Sequence, residues 1–158
     1  MMKSYKGRAQ CLVIREDNIL MVKHCSENDA HYTTPGGGIE PGETPEQAAL
    51  RELQEECNVT GTIIKKTGEW ACPYHDDKIF YTYHIDIGAQ EPFLSYDWEY
   101  ANKHLLNPVE VRWMTLRELS EVDRAYLWSA GLMSIERFAQ EVDTWAREVS
   151  YPKTGRNL

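Results

Sequence analysis

The chain has no long apolar run. Stretches such as Cys11–Ile14 are far shorter than the ~20 residues a membrane helix needs. Its first ten residues, MMKSYKGRAQ, lack the apolar core of a secretory signal. No membrane partner is expected, and a cytoplasmic setting is the default. Linkers, internal repeats and low-complexity tracts are also missing. Cysteine is sparse, with Cys11, Cys25, Cys57 and Cys72 forming no CxxC and meeting no histidine at zinc-finger spacing. They read as reduced, partly buried thiols. Positive charge is in deficit: 17 basic residues face 25 acidic ones, for a net charge of −8. Such a surface repels a polyphosphate backbone, which excludes a nucleic acid polymer as a bulk partner. A small phosphorylated ligand stays admissible if cations, from side chains or bound metal, are placed locally.

What is present suffices for one folded unit. The 158 residues are 42% hydrophobic, enough for a single domain with its own core, expected over residues 1–150. The last eight residues, YPKTGRNL, are expected to form a mobile tail. Residues 9–14 and 19–24 read as a strand hairpin turning through REDN. YTT suggests a short strand before Pro35 and Gly36-Gly37-Gly38, a run not expected to be a regular element. Residues 60–72 and 78–87 read as two strands joined through Pro73-Tyr74-His75-Asp76-Asp77, and 109–114 as a last strand. Residues 88–108 are aromatic-rich and read as loop. A short helix is expected from Thr115, then a helical pattern from Arg124 to Val149. There Leu132, Ile135, Phe138, Val142, Trp145 and Val149 make a stripe that reads as core packing. The order implies an α/β (α+β) layered fold with a mixed sheet.

The informative stretch is Thr33 to Val59, TTPGGGIEPGETPEQAALRELQEECNV. Thr44 is a fitting N-cap, Pro45 suits the first helical position, and Gln47 completes a capping box. The helix should run to about Cys57. With Glu52 at zero and about 100° per residue, Glu56 falls at about 40° and Glu55 at about 300°. Leu53, Cys57 and Leu50 fall at about 100°, 140° and 160°, on a face that can dock on a sheet. Arg51 flanks the acidic face and can reach back to Glu43. Like charges one turn apart cost only ~0.2–0.5 kcal/mol on an exposed helix. Three carboxylates on one face are therefore compatible with a plain solvated surface. The glycine turn just before them favours a site instead.

From Gly37 the chain reads five residues, Glu43, seven residues, then Arg51-Glu52-Leu53-Gln54-Glu55-Glu56-Cys57-Asn58-Val59. This resembles the signature of Nudix hydrolases, G-x5-E-x7-R-E-U-x-E-E-x-G-U, with U aliphatic. Every fixed position matches except the final glycine, here Asn58. Asparagine tolerates the left-handed conformation wanted after a helix, so the departure removes no catalytic group. The motif covers 23 residues; the flanking strands and VEVRWMTLREL extend the resemblance over most of the chain.

The resemblance implies an α/β/α sandwich and a pyrophosphohydrolase. Its substrate would be a nucleoside diphosphate linked to another moiety, of ADP-ribose, dinucleoside polyphosphate or nucleoside triphosphate type. It also implies Mg2+, with Mn2+ as an alternative, and it admits a homodimer. Glu52, Glu55, Glu56 and the Gly36 carbonyl would hold the metal, Glu43 and Arg51 would brace the loop, and Glu52 or Glu56 would be the general base. In some relatives the base lies outside the motif, where Asp97, Glu99 and Glu110 are the candidates. The chemistry is coherent with the residue types. A pyrophosphate repels attacking hydroxide, and hard oxygen donors hold the Mg2+ that relieves this. Pro73 resembles the proline of ADP-ribose pyrophosphatases and Tyr74 the tyrosine of dinucleoside polyphosphate hydrolases; the pair equally suits a plain hairpin turn. Trp70, Tyr74 and Tyr81, with Tyr83, are candidates for stacking on a base, although Tyr81 and Tyr83 also fall on one strand face. His24, His31, His75, His84 and His104 share no spacing. The rival readings are a non-catalytic nucleotide- or metabolite-binding module on the same fold, and an acidic helix that recruits a protein.

Overall fold

Strand β1 (Gly7–Arg15) and strand β2 (Asn18–Cys25) form the expected hairpin around Glu16-Asp17, with Glu16 at a φ of 57°. The computed structural model describes residues 5–71, 77–96, 103–104 and 107–145. The hairpin opens at once: β1 and β2 pair only through Ile14–Ile19 and Arg15–Asn18. Beyond that, β2 pairs with β3 (Ala30–Thr33) and β7 (Glu110–Met114). The edge of β1 that β2 vacates is taken by β4 (Gly36–Gly38). On its other edge β1 runs parallel to β6 (Ile79–Asp86), which pairs antiparallel with β5 (Thr62–Ala71). The described residues thus form seven strands in one mixed sheet, five in the order β3-β2-β1-β6-β5, with β4 beside β1 and β7 beside β2.

Alternation along the strands divides two cores between the faces of the sheet. Ala9, Cys11 and Val13 of β1, Leu20 and Val22 of β2, and Tyr81, Tyr83 and Ile85 of β6 pack against helix α1 (Pro45–Cys57). Leu12, Ile19 and Met21 face the other way, against Leu127, Leu132 and Phe138. The result is an α/β/α sandwich, as expected. Cys11 and Cys57 are buried and Cys25 half-buried, all three as free thiols. Burial, first of all, pushes the pKa of Cys11 and Cys57 up. No helix among the described residues is long and apolar enough to cross a membrane.

Three expectations need correction. The three glycines form β4 rather than an irregular turn, paired with Arg8, Ala9 and Gln10 of β1. None of them has a positive φ; what β4 demands is close approach. A Cβ on Gly37 would collide with the Glu52 carboxylate. Second, the pattern from Arg124 onward is not one helix. It divides into α2 (Glu121–Ser129), a 3-10 turn at Leu132–Ser134 and α3 (Glu136–Asp143). The break lies at Gly131, at a φ of 87°, where a Cβ would strike the carbonyl of Thr67. The Thr67 hydroxyl also donates to the Ala130 carbonyl at 2.9 Å. Docking on β5 thus ends the helix, yet Leu132, Phe138 and Val142 remain buried as core. Third, the helix at Thr115 is only a 3-10 turn, Leu116–Glu118, and Ser120 caps α2 separately. Val149 and the tail 151–158 lie outside the described residues.

Candidate active site

Helix α1 starts and stops as its residues dictate. Thr44 accepts from the Gln47 amide, and the Gln47 side chain accepts from the Thr44 amide. At the other end Asn58 adopts the left-handed conformation, φ 57° and ψ 35°, and its amide caps Gln54. The buried face differs from the helical-wheel expectation. Ala48, Ala49, Leu53 and Cys57 are fully buried, while Leu50 is only half-buried. On the same wheel Ala49 lies at about 60°, next to Glu56 at about 40°. The acidic face therefore borders the core instead of opposing it. The alanines Ala48 and Ala49 let the helix come close to the sheet, while Leu53 and Cys57 fill the core beside them.

That placement grades the three carboxylates. The side chain of Glu55 is 58% exposed and that of Glu52 only 15%. Glu56 is half-buried, and its Oε1 accepts the Gly36 amide at 2.8 Å. Burial pushes its pKa up to about 7, and the charge of Glu52 adds to the shift; the Gly36 amide and the charge of Arg8 oppose it.

Arg51 organises the rest. Its Nε and Nη2 donate to both oxygens of Glu43, at 2.7 and 3.0 Å. Nη2 also donates to the Gly38 carbonyl at 2.8 Å. Nη1 donates to Glu52 at 2.8 Å and to Glu55 at 3.2 Å. The guanidinium hydrogen bond holds the Glu43 carboxyl below its usual range, and the same partners raise the Arg51 pKa. The expected contact to Glu43 is thus joined by two to the acidic face itself. Repulsion between Glu52 and Glu55 is already offset inside the protein before any ligand arrives.

Glu52, Glu55 and Glu56 line one cleft of about 270 Å3, faced by Leu94, Ser95, Tyr96, Asn107 and Pro108. Among the described residues no three His, Cys, Asp or Glu side chains converge closely enough to share one ion. Arg51 currently engages one oxygen each of Glu52 and Glu55. The donor set, three carboxylates beside a glycine backbone, nevertheless suits a hard divalent cation. Gly36 stands beside Glu56 through its amide.

Of the aromatic candidates, Trp70, Tyr81 and Tyr83 do not line this cleft. Tyr81 is 7% exposed in the core under α1, and its ring meets Tyr5 edge-on at 6.1 Å. Tyr83 is buried too, donating to Glu46 at 3.1 Å. Trp70 packs edge-on against Phe80 at 4.5 Å. Alternation thus turns Tyr81 and Tyr83 to the core, while Trp70 lies against Phe80. Tyr74 and Pro73 lie outside the described residues, as do Asp97 and Glu99. Glu110 sits on β7 opposite Lys23, on a neighbouring cavity and not on the carboxylate cleft. His24 and His31, which share no sequence spacing, stack at 5.2 Å across β2 and β3.

What sequence reasoning missed is the opposite wall. Leu94–Tyr96 and Asn107–Pro108 come from the aromatic-rich stretch read only as loop. Its order has identifiable causes. Arg15 donates to the carbonyls of Gly88 and Gln90 and to Glu91. Gln90 exchanges bonds with the Thr60 backbone. The Asn107 amide group brackets the backbone of Cys25. None of these partners is near in sequence, so no local signal marks them.

A mixed sheet between helical layers, with an acidic helix face set against a glycine strand, defines a Nudix-type fold and site. Residues 5–134 match the NUDIX domain model, and the chain belongs to that family. Over 100 residues it is 36% identical to mouse diphosphoinositol polyphosphate phosphohydrolase 3-alpha, a match covering 61% of this chain and 58% of that protein. The chain thus spans less than two-thirds of that relative's length. A solved Nudix hydrolase from Nitrosomonas europaea superposes with a TM-score of 0.61 at 19% identity, covering 94% of this chain and 97% of that one. A C. elegans Ap4A hydrolase in binary complex gives 0.54 at 20% identity, covering 85% and 98%. At such identities the structural likeness speaks to the fold alone.

Proposed function

We propose that the chain is a Mg2+-dependent pyrophosphohydrolase that cleaves the diphosphate linkage of a nucleoside diphosphate joined to another moiety. The observation that carries this reading is the single cleft lined by Glu52, Glu55 and Glu56 beside the β4 glycines. Glu52, Glu55, Glu56 and the Gly36 carbonyl would hold Mg2+, or Mn2+ in its place. Bound there, the cation supplies positive charge that screens the diphosphate and favours hydroxide over water. Arg51 and Glu43 hold Gly38 and the acidic face in register. Their role is positioning, as for groups that orient metal ligands. Glu52 or Glu56 accepts the proton of the attacking water. Each is held by one bond at 2.8 Å, Glu56 by the Gly36 amide and Glu52 by Arg51.

The test is a Mg2+-dependent hydrolysis screen over ADP-ribose, dinucleoside polyphosphates, nucleotide sugars, nucleoside triphosphates and a diphosphoinositol polyphosphate, with products identified by mass. Turnover of a nucleotide that falls by orders of magnitude in Glu56→Gln is the expected result. A fully active Glu56→Gln protein at saturating Mg2+ would remove Glu56 from the machinery. Absence of turnover across the panel, in folded protein that binds Mg2+, would favour a binding module on the same fold.

A further inference from the structure

A second cavity, of about 670 Å3, adjoins the carboxylate cleft. The two share Leu94, Ser95 and Tyr96 as a common wall. A ligand whose diphosphate lies over Glu52 and Glu56 therefore extends naturally past Tyr96 into the larger space. Apolar surface there comes from Pro92, Phe93, Leu94, Val109 and Val111. The Phe93 side chain is held out to solvent, at 58% exposure. The charged residues of the described lining are Lys23 and Glu110, of opposite sign and directly paired in register across β2 and β7. A polyphosphorylated ring needs a cluster of cations, and the described lining offers Lys23 alone. An uncharged flat ring needs apolar surface and an aromatic partner, which are present.

Phe93, next in the chain to the shared wall, is tied to helix α1 by the residue that departs from the motif. Asn58 Nδ2 donates to the Phe93 carbonyl at 2.8 Å. The Phe93 amide donates to the Cys57 carbonyl at 3.0 Å. A glycine at 58 would keep the left-handed turn but lose the first bond. Phe93 is therefore fixed relative to Glu56, two residues before Asn58, by a pair of bonds on either side of its own Cα.

We propose that this cavity binds the nucleobase of the substrate, that Phe93 supplies its stacking face, and that Asn58 is a positioning residue for that wall. This rests on the reading of a nucleotide pyrophosphohydrolase and narrows it: the site takes a nucleoside, not an inositol polyphosphate. The relative with 36% identity, named for a diphosphoinositol polyphosphate, thus differs from this chain in the moiety accepted.

Binding is measured by isothermal titration with Mg2+ present, using the non-hydrolysable α,β-methylene analogues of ADP, GDP and UDP, and inositol hexakisphosphate. At least one nucleotide analogue should bind more tightly than inositol hexakisphosphate. Phe93→Ala, a change at an exposed side chain, should weaken that analogue by about 3- to 10-fold. Asn58→Gly and Asn58→Asp both keep the backbone turn and both lack the donor. Each should weaken the same analogue at least threefold. Each should also speed hydrogen exchange of the Phe93 amide about tenfold while the amides of α1 stay protected. Tighter binding of inositol hexakisphosphate, no binding of any nucleotide analogue, or affinities untouched by Phe93→Ala would overturn the proposal. Because no turnover is read, a failed hydrolase reading and a failed cavity assignment are separable.

Discussion

At the scale of single residues, Glu56 is where structure and ionisation are coupled most directly. Its carboxyl lies beneath the acidic face, bonded to the Gly36 amide, and its pKa rises from 4.5 to about 7. A carboxyl raised on folding favours the native state fully below the unfolded value. That contribution is lost as pH climbs through the folded value. Metal-free protein should therefore lose on the order of 2 kcal/mol of stability between about pH 4.5 and 7 from this group. Glu56→Gln keeps an oxygen for the Gly36 amide and has nothing to ionise. Denaturant melts at several pH values, in chelator, should show a flatter profile for the variant over that window. Parallel profiles would mean that Glu56 is not charged at a cost in the fold.

At the scale of elements, the helices show which local signals survive packing. α1 forms between the termini its own residues encode, Thr44 with Gln47 at one end and Asn58 at the other. The C-terminal pattern does not, because Gly131 must turn against the backbone of Thr67. Gly131→Ala should cost about 2 kcal/mol or more, from a positive φ and a backbone clash together. Chemical denaturation measures this directly. A neutral substitution would mean that the turn between α2 and α3 is free to shift. The same packing explains why three consecutive glycines form a strand. Their small size lets β4 lie beside β1 beneath the helix, within reach of Glu52.

At the scale of the whole molecule, the candidate site draws its walls from α1, β4 and two distant loops, so a ligand held there would bind the native state alone. Cation binding to the native state alone raises the unfolding midpoint by mass action. Mg2+ at 100 times its dissociation constant would add about 2.7 kcal/mol. Thermal melts should show a midpoint that rises with Mg2+ in the wild-type protein and stays nearly constant in the double variant Glu52→Gln, Glu56→Gln. Equal responses in both would place the cation elsewhere. Arg51 already engages one oxygen each of Glu52 and Glu55, at 2.8 and 3.2 Å, so a cation bound there would compete with the guanidinium.

The sequence by itself determined whatever is local and periodic. It specified the opening hairpin, the caps and length of α1, the left-handed Asn58, and the face shared by Glu52, Glu55 and Glu56. Each depends on residues within a few positions of one another, so a spacing suffices to read it. Only the tertiary structure decided how deeply each carboxylate sits and that Tyr81 serves the core. It also decided that Arg51 clasps the acidic face, and that Leu94–Tyr96 and Asn107 close the cleft. Those features depend on which face of a strand meets which helix. They depend too on bonds such as Arg15 to Gln90 and Asn58 to Phe93, which join residues far apart in the chain and exist only once the layers have packed.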